Sequence, residues 1–396
     1  MMMNYARPCK SHFPAFDHFN NITLAALTGW IAWPGNFLFF SILAPAIILN
    51  SQTRIIVFLS AMTYYLAASC GLPHGAEVFF SHASWIQGYG LWLSCGILNA
   101  LPWAVFWRKS SSHILTASIS LILLALPPLG VLGWASPLTA AGWIFPGMGI
   151  AGLVLTLILI LLIVLRYWAF IIVMLVVSFF MNSTYQLPIK QGVAIQTHFN
   201  GMASGSLNFS SQYWRNQAAI IMAKKAIESQ GSHNVIVLPE TTVGTWSVSR
   251  RIMWEPVAKM AAAKKDIVAI GAERLRPVAG YDNDMVLMGG KDYRFFPQRV
   301  PVPVSMWHPW SKGGASSNWF GKGIAQYRHH KIGYLVCYEQ ILVWPAVITG
   351  INNPGIVVGM ANDWWARHTS FPSIQAMAFH AWGRLFNWES VESRNE

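Results

Sequence analysis

Two residues of the sequence have the types and positions that nucleophilic catalysis requires. The apolar run 334–336 ends at Cys337, and the apolar run 235–238 is followed within two residues by Glu240. Short β-branched runs predict buried strands, and sites in open α/β sheets gather beyond the carboxyl ends of strands. A carboxylate there can deprotonate a thiol and later an incoming amine or water. The sequence therefore predicts Cys337 as a nucleophile and Glu240 as its base.

Each of these residues also has a simpler interpretation. A free cysteine is commonly a small buried hydrophobe, and a loop carboxylate such as Glu240 is commonly solvated. A helix is predicted over 341–348, and the backbone N–H groups before it favour a thiolate at Cys337 and can hold an oxyanion. The interpretation of Cys337 as a nucleophile therefore depends on both residues together, because Cys337 and Glu240 each lie at the end of a predicted strand.

Histidines and other cysteines do not extend this site. His308, His329 and His330 are candidates for a metal or for a Cys–His pair, but neighbouring histidines in a strand point to opposite faces. Cys337 is the one cysteine after residue 182, so a disulfide within that part of the chain is excluded. We therefore expect no metal and no cofactor.

Charged residues are unevenly divided along the chain. Of its 396 residues, 54% are hydrophobic and 11% are charged, against about a quarter charged in soluble domains. Six basic and two acidic residues precede Asn182, which leaves 21 and 13 for the remainder. We predict a transmembrane domain over 1–182 and a soluble domain over 183–396. Its basic surface suits anionic lipid or nucleic acid, but no nucleic-acid motif is present and direct nucleic-acid binding is not expected.

About seven apolar segments make up the first domain, and most approach the roughly 20 residues that cross a bilayer. Basic residues occur at every second connection, so the positive-inside rule predicts a cytoplasmic N-terminus and a periplasmic second domain in a multi-pass protein of the bacterial inner membrane. The first two segments, separated by a break at 33–36, can also form a hairpin. The segments are 22–33, 37–49, 55–68, 85–107, 114–134, 144–165 and 168–181.

Strands alternate with helices after residue 205, which predicts an α/β layered domain. The helix over 210–230 is expected to be amphipathic, with Trp214, Ala218 and Ile221 at helical spacing. The other predicted helices are 254–265, 341–348 and 373–386. The predicted strands are 235–238, 267–271, 285–288, 334–336 and 356–360.

Three blocks of the second domain resemble the carbon-nitrogen hydrolase (nitrilase) superfamily, namely 238–241 (LPET), 333–339 (GYLVCYE) and 361–365 (ANDWW). The preceding apolar spans resemble its membrane branch, apolipoprotein N-acyltransferase, so that the resemblance covers about 22–386. It implies a four-layer αββα sandwich and a Glu-Lys-Cys triad. Glu240 matches the base, Cys337 the nucleophile, and Glu339 an acid that supports the site.

The family's lysine loop corresponds to residues 297–305, where Gln298 or Arg299 takes the lysine position. We expect Arg299 to stabilise the oxyanion, because a guanidinium stays charged and can replace an ammonium that only stabilises charge. Lys291 and Lys312 are the next candidates. The family continues past the point matching Glu396 with closing strands and a final transmembrane helix, so the resemblance implies a C-terminally shortened domain.

Two functions stay open at this point. One is an enzyme that transfers or hydrolyses acyl or amide groups through a Cys337 thioester at the outer face of the inner membrane. Its acyl donor would be a membrane lipid, and its acceptor a lipoprotein or peptide. The other is a catalytically inactive membrane component of a larger apparatus, which uses the pocket or the basic surface to bind other proteins.

Overall fold

The computed structural model describes residues 14–80, 85–109, 113–188, 192–199 and 209–396. A helical part comes first, and a part with two β-sheets follows. The helical part contains α1 (Pro14–Ala32), α2 (Ala44–Leu49), α3 (Arg54–Ala68), α4 (Leu72–Phe79), α5 (Trp85–Phe106), α6 (His113–Ala125), α7 (Ala141–Ile144), α8 (Gly149–Leu165) and α9 (Trp168–Thr184), with 3-10 turns at Leu38–Leu43, Leu129–Val131 and Pro137–Ala140.

The helices of the sheet-containing part are α10 (Phe209–Ser229), α11 (Val248–Lys264), α12 (Val343–Ile351) and α13 (Phe371–Phe386), with a 3-10 helix at Cys337–Ile341. The strands are β1 (Gly192–Ala194), β2 (Val235–Val237), β3 (Ile267–Leu275), β4 (Tyr281–Met288), β5 (Tyr293–Pro297), β6 (Ile324–Tyr327), β7 (His330–Val336), β8 (Ile356–Asn362) and β9 (Glu389–Asn395).

The helix lengths do not confirm about seven membrane spans. Among the described residues, one helix, Ile86–Phe106, is long and apolar enough to cross a membrane, and at most three spans result if each sharply bent helix pair counts as one. Helix α6 ends at Ala125, before the predicted limit at 134, because Pro127 and Pro128 follow and cannot continue it.

The loops that carry basic residues lie together at one end of the helical part. The Arg54 guanidinium donates to the Trp107 carbonyl at 3.2 Å, and the Arg166 guanidinium donates to Asn50 Oδ1 at 2.6 Å. The sheet-containing part packs near the other end of α3. A Cβ added at Gly71, just after α3, would lie 2.9 Å from Thr369.

Two sheets run through the second part. The first has the order β1-β2-β3-β4-β5, with β1, β2 and β3 parallel and the rest antiparallel. The second has the order β6-β7-β8-β9, with β7, β8 and β9 parallel. The predicted strands are all present, and the polar strand β9, which the sequence interpretation missed, completes the second sheet.

The sheets pack face to face between helices, which gives the predicted order helix, sheet, sheet, helix. Between the sheets, Val237 and Ala269 of the first belong to one buried cluster with Val336 and Met360 of the second. Helices α10 and α11 cover the other face of the first sheet. Helix α13 and the helical part cover the other face of the second sheet through Phe379 and its neighbours.

Helix α10 has an unexpected orientation. Trp214 and Ile221, which define its predicted apolar stripe, are 66% and 52% exposed. The buried face instead carries Ala219, Ala223 and Ile227. Asn216 also points inward, because its amide bonds the Val243 carbonyl and the Trp254 indole. The pattern predicted the helix correctly but not the side that packs.

Candidate active site

Cys337 is the first residue after β7 and begins a 3-10 helix. Its φ of +48° lies in the left-handed region, which is strained for a residue with a side chain. The Gln375 amide donates to the Cys337 carbonyl at 2.7 Å and holds the turn in place. Cys337 therefore lies at the end of a buried strand, where the sequence predicted it.

Glu240 follows β2 at the corresponding edge of the other sheet and is 5% exposed. Its carboxylate lies beside the Cys337 thiol and the backbone N–H of Asn362. The Asn283 amide donates to Glu240 Oε1 at 2.6 Å. The structure therefore brings the two predicted residues into contact, and Glu240 is not an exposed loop acid.

Protonation of this pair differs from the sequence expectation. Burial, and then the nearby carboxylates of Glu240 and Asp363, raise the pKa of the Cys337 thiol well above its ordinary value. Burial raises the pKa of Glu240 to about 7, against the hydrogen bonds from Asn283 and Cys337. The resting cysteine is therefore a thiol rather than the expected thiolate, and Glu240 is the group placed to remove its proton.

Arg299 and Glu339 form a buried ion pair behind the strand end. Arg299 Nη2 lies 3.1 Å from Glu339 Oε2, and Arg299 Nε lies 3.3 Å from Oε1. The remaining guanidinium N–H groups bond the carbonyls of Tyr334, Gly321 and Pro345. All five guanidinium N–H groups thus have acceptors, so the predicted role of Arg299 as oxyanion donor does not fit this geometry. Neither residue of the pair lines the cavity beside Cys337.

Glu339 has the supporting position that the resemblance implied. Its Oε1 accepts the backbone N–H groups of Arg299 at 2.5 Å and Val300 at 3.0 Å, and its Oε2 accepts that of Val336 at 3.1 Å. A carboxylate between these groups fixes the loop after β5 against the end of β7. Glu339 therefore acts on the shape of the site rather than on a substrate.

The other sequence candidates lie away from Cys337. His329 and His330 are exposed at the start of β7, and β7 is seven residues long, which is roughly 20 Å. Lys291 and Lys312 are exposed in loops and do not line the cavity. No group of three or more His, Cys, Asp or Glu side chains that could hold a metal occurs among the described residues.

A cavity of about 280 Å³ opens beside Cys337 and Glu240. Helices α3, α4 and α5 supply one wall, including Leu72, Phe79 and Leu98, and the loop 302–306 and the segment after β8 supply the others. No lysine, arginine or histidine is among the described residues that line it. Glu240 and Cys337 thus face a mostly apolar space that the two parts of the chain form together.

Sequence reasoning missed several polar residues around the pair. Glu273 and Tyr281 line the cavity, and Asn283 bonds Glu240 directly. Asp363 is 0% exposed, and neither of its oxygens has a partner among the described residues. Asp363 stood in the sequence within the block 361–365. The polar start of β4, which carries Asn283, was the signal that could have extended the strand predicted at 285–288.

Comparison with known proteins identifies the family. Conjugal transfer protein TraB of Agrobacterium fabrum (strain C58 / ATCC 33970) is 31% identical over 403 residues, which cover 94% of this chain and 92% of that protein. The chain belongs to the TraB family. A probable conjugal transfer protein TraB of Sinorhizobium fredii (strain NBRC 101917 / NGR234) is 32% identical over 393 residues, which cover 94% of this chain and 97% of that protein.

Two further comparisons add nothing to the TraB assignment. No family model matches the chain. A solved carbon-nitrogen hydrolase of Helicobacter pylori G27 aligns with a TM-score of 0.40 and 11% identity, over 52% of this chain and 73% of that one. A similarity of this size carries no argument, so the layered fold rests on the sheets and helices described above.

The Glu240–Cys337 contact predicts how the thiol reacts. Alkylation of Cys337 by iodoacetamide should accelerate as pH rises through about 7, because Glu240 loses its proton there and becomes a base. Glu240→Gln should slow the reaction on the order of 10²-fold and remove this rise. The rate is measured by mass spectrometry of the Cys337 peptide, with thermal unfolding as the check on folding.

Glu273→Gln is the matched control, since it removes another carboxylate that lines the same cavity. It should preserve the plateau rate. Equal labelling of Glu240→Gln and the parent at equal stability would contradict the assignment of Glu240 as the base.

Proposed function

We propose that this TraB-family protein acts in plasmid conjugal transfer as an enzyme that transfers or hydrolyses an acyl or amide group through a thioester on Cys337. The observation that carries the proposal is the buried Glu240–Cys337 pair at the wall of an apolar cavity. Buried carboxylates are rare unless they are paired or functional. The place of the relatives in conjugation, which their names give, supplies the biological setting.

The reaction begins with transfer of the Cys337 proton to Glu240 as sulfur attacks the acyl carbonyl carbon. The tetrahedral intermediate collapses, and the leaving alcohol or amine takes the proton from Glu240. An acceptor amine or water then gives a proton to Glu240 and attacks the thioester. Cys337 recovers its proton, so one carboxylate serves both half-reactions.

The shape of the cavity supports an aliphatic acyl donor. Its walls are mainly apolar side chains of α3, α4 and α5, and its volume of about 280 Å³ is near the lower end of the range for ligand pockets. We propose a membrane lipid as donor and a lipoprotein, peptide or other conjugation protein as acceptor. No cofactor takes part in these steps.

A location in the bacterial inner membrane is supported by the surface of the helical part. Helix α9 exposes Phe170, Ile172 and Phe179, each at least half exposed, as expected of a surface that meets lipid. The Arg54 and Arg166 contacts gather basic groups at one end, which favours that end on the cytoplasmic side. We propose a multi-pass protein with its N-terminus in the cytoplasm and residues 183–396 in the periplasm.

Binding without catalysis is the second candidate, and one observation favours it. The cavity has no cationic side chain among its described lining residues, so no ammonium or guanidinium meets an oxyanion there. In this case the pocket would hold a component of the conjugation apparatus. The two candidates differ in whether the Cys337 sulfur is required.

The frequency of plasmid transfer distinguishes the enzyme from the binding component. A strain whose chromosomal or plasmid copy carries Cys337→Ala should transfer the plasmid at the frequency of a strain that lacks the protein. Cys95→Ala is the control, because Cys95 lines the same cavity without bonding Glu240, and it should transfer normally. Normal transfer by Cys337→Ala at equal protein abundance would refute the enzyme and leave the binding component.

Reporter fusions test the proposed topology. An enzyme reporter that is active only in the periplasm should be active when fused after Gly231 and silent when fused after Lys109, since the basic connection at Lys109 is expected to stay in the cytoplasm. Immunoblots provide the control for fusion abundance. The reverse pattern of activity would refute the orientation.

A further inference from the structure

Two buried amide side chains connect Glu240 to the strand that carries Cys337. Gln298 Nε2 donates to the Val336 carbonyl at 3.0 Å and to the Val300 carbonyl at 3.3 Å. Both of its N–H groups are thereby used, so its Oε1 is the atom that faces Asn283. Asn283 Nδ2 donates to this oxygen at 2.8 Å and to Glu240 Oε1 at 2.6 Å. The carbonyl acceptors thus fix the orientation of both amides.

These two amides form a hydrogen-bonded bridge, which occupies the place where the sequence resemblance expects a lysine. Of the two residues that could take that position, Arg299 turns to Glu339, whereas Gln298 turns toward Glu240 and is 1% exposed. The chain therefore has a neutral pair where an ammonium was expected. A neutral donor orients a carboxylate, but it attracts the negative charge far less than a cation does.

We propose that Asn283 and Gln298 are positioning residues, which hold the Glu240 carboxylate on Cys337 as a neutral bridge in place of a cation. This inference rests on the proposed function and describes how its site is regulated. By occupying Oε1, Asn283 holds the carboxylate in one rotamer against the Cys337 side chain. Because the bridge spans from β4 to the end of β7, it also fixes the separation of the two strand ends.

The bridge makes the reactivity of the site depend on pH near neutrality. The groups that face Glu240 are Cys337, Glu273, Tyr281 and Asp363, which are all neutral or acidic. Burial raises the pKa of Glu240 to about 7, and the Asn283 hydrogen bond opposes that rise. Loss of the bridge should therefore raise the pKa of Glu240, and a cation in its place should lower it.

The test is the pH profile of Cys337 alkylation by iodoacetamide in the full chain, purified in detergent. Gln298→Met keeps the side-chain length and removes the amide, so the midpoint of the profile should move up by about half a unit to one unit. Gln298→Lys should move it down by about one unit or more, because it places a positive charge beside Asn283, which donates to the Glu240 carboxylate.

Gln340→Met is the matched control. Gln340 is another buried glutamine that donates to two backbone carbonyls, those of Leu335 and Met360, and it has no bond to Asn283 or Glu240. This variant should lower the unfolding temperature and leave the midpoint unchanged. A purely structural bridge would make Gln298→Met behave in the same way, and that result would overturn the proposal.

Gln298→Lys keeps the proposal falsifiable if Gln298→Met does not fold. A folded Gln298→Lys chain with the parental midpoint would overturn the neutral bridge, since a buried positive charge one residue away from the Glu240 carboxylate must lower its pKa. The labelling needs no acyl substrate. Shifted midpoints together with normal plasmid transfer by Cys337→Ala would therefore refute the proposed function and leave the bridge intact.

Discussion

The site depends on one buried carboxylate, that of Glu339, which does not line the cavity. It accepts three backbone N–H groups and the Arg299 guanidinium, and so joins the loop after β5 to the end of β7. Cys337 lies two residues before Glu339, and Gln298 lies one residue before Arg299. Removal of one partner from a buried ion pair typically costs about 3–5 kcal/mol. The same interaction thus positions Cys337 and the two amides that lead from its strand to Glu240.

A second constraint is that neither part of the chain encloses the cavity by itself. The sheet-containing part supplies Cys337 and Glu240, whereas the helical part supplies the apolar wall. The Tyr338 hydroxyl, next to Cys337 in the chain, donates to the Val131 carbonyl of the helical part at 2.9 Å. A Cβ added at Gly75 would lie 2.5 Å from the Trp365 ring, so α4 lies directly against the segment after β8. These contacts fix the apolar wall in position relative to Glu240 and Cys337.

The sequence predicted those features that local pattern controls. Cys337 and Glu240 could be singled out because β-branched apolar runs indicate buried strands, and the polar residues that follow such strands lie at the edge of the sheet. The role of Arg299 was not predictable, since charge says nothing about which acceptors surround a guanidinium in the fold. Strand β9 was missed because its polar sequence has no apolar run, and it is stabilised by pairing with β8. The exposed stripe on α10 shows the same limit, as helical spacing does not reveal which face finds a partner.

The most direct test of the account is the intact mass of the protein after incubation in vesicles of a phospholipid with one defined acyl chain. The account predicts that the parent chain gains the mass of one acyl group, which hydroxylamine removes as expected of a thioester. Cys337→Ala should gain none. An unmodified parent chain whose Cys337 still reacts with iodoacetamide would contradict acyl transfer by this site from such a lipid.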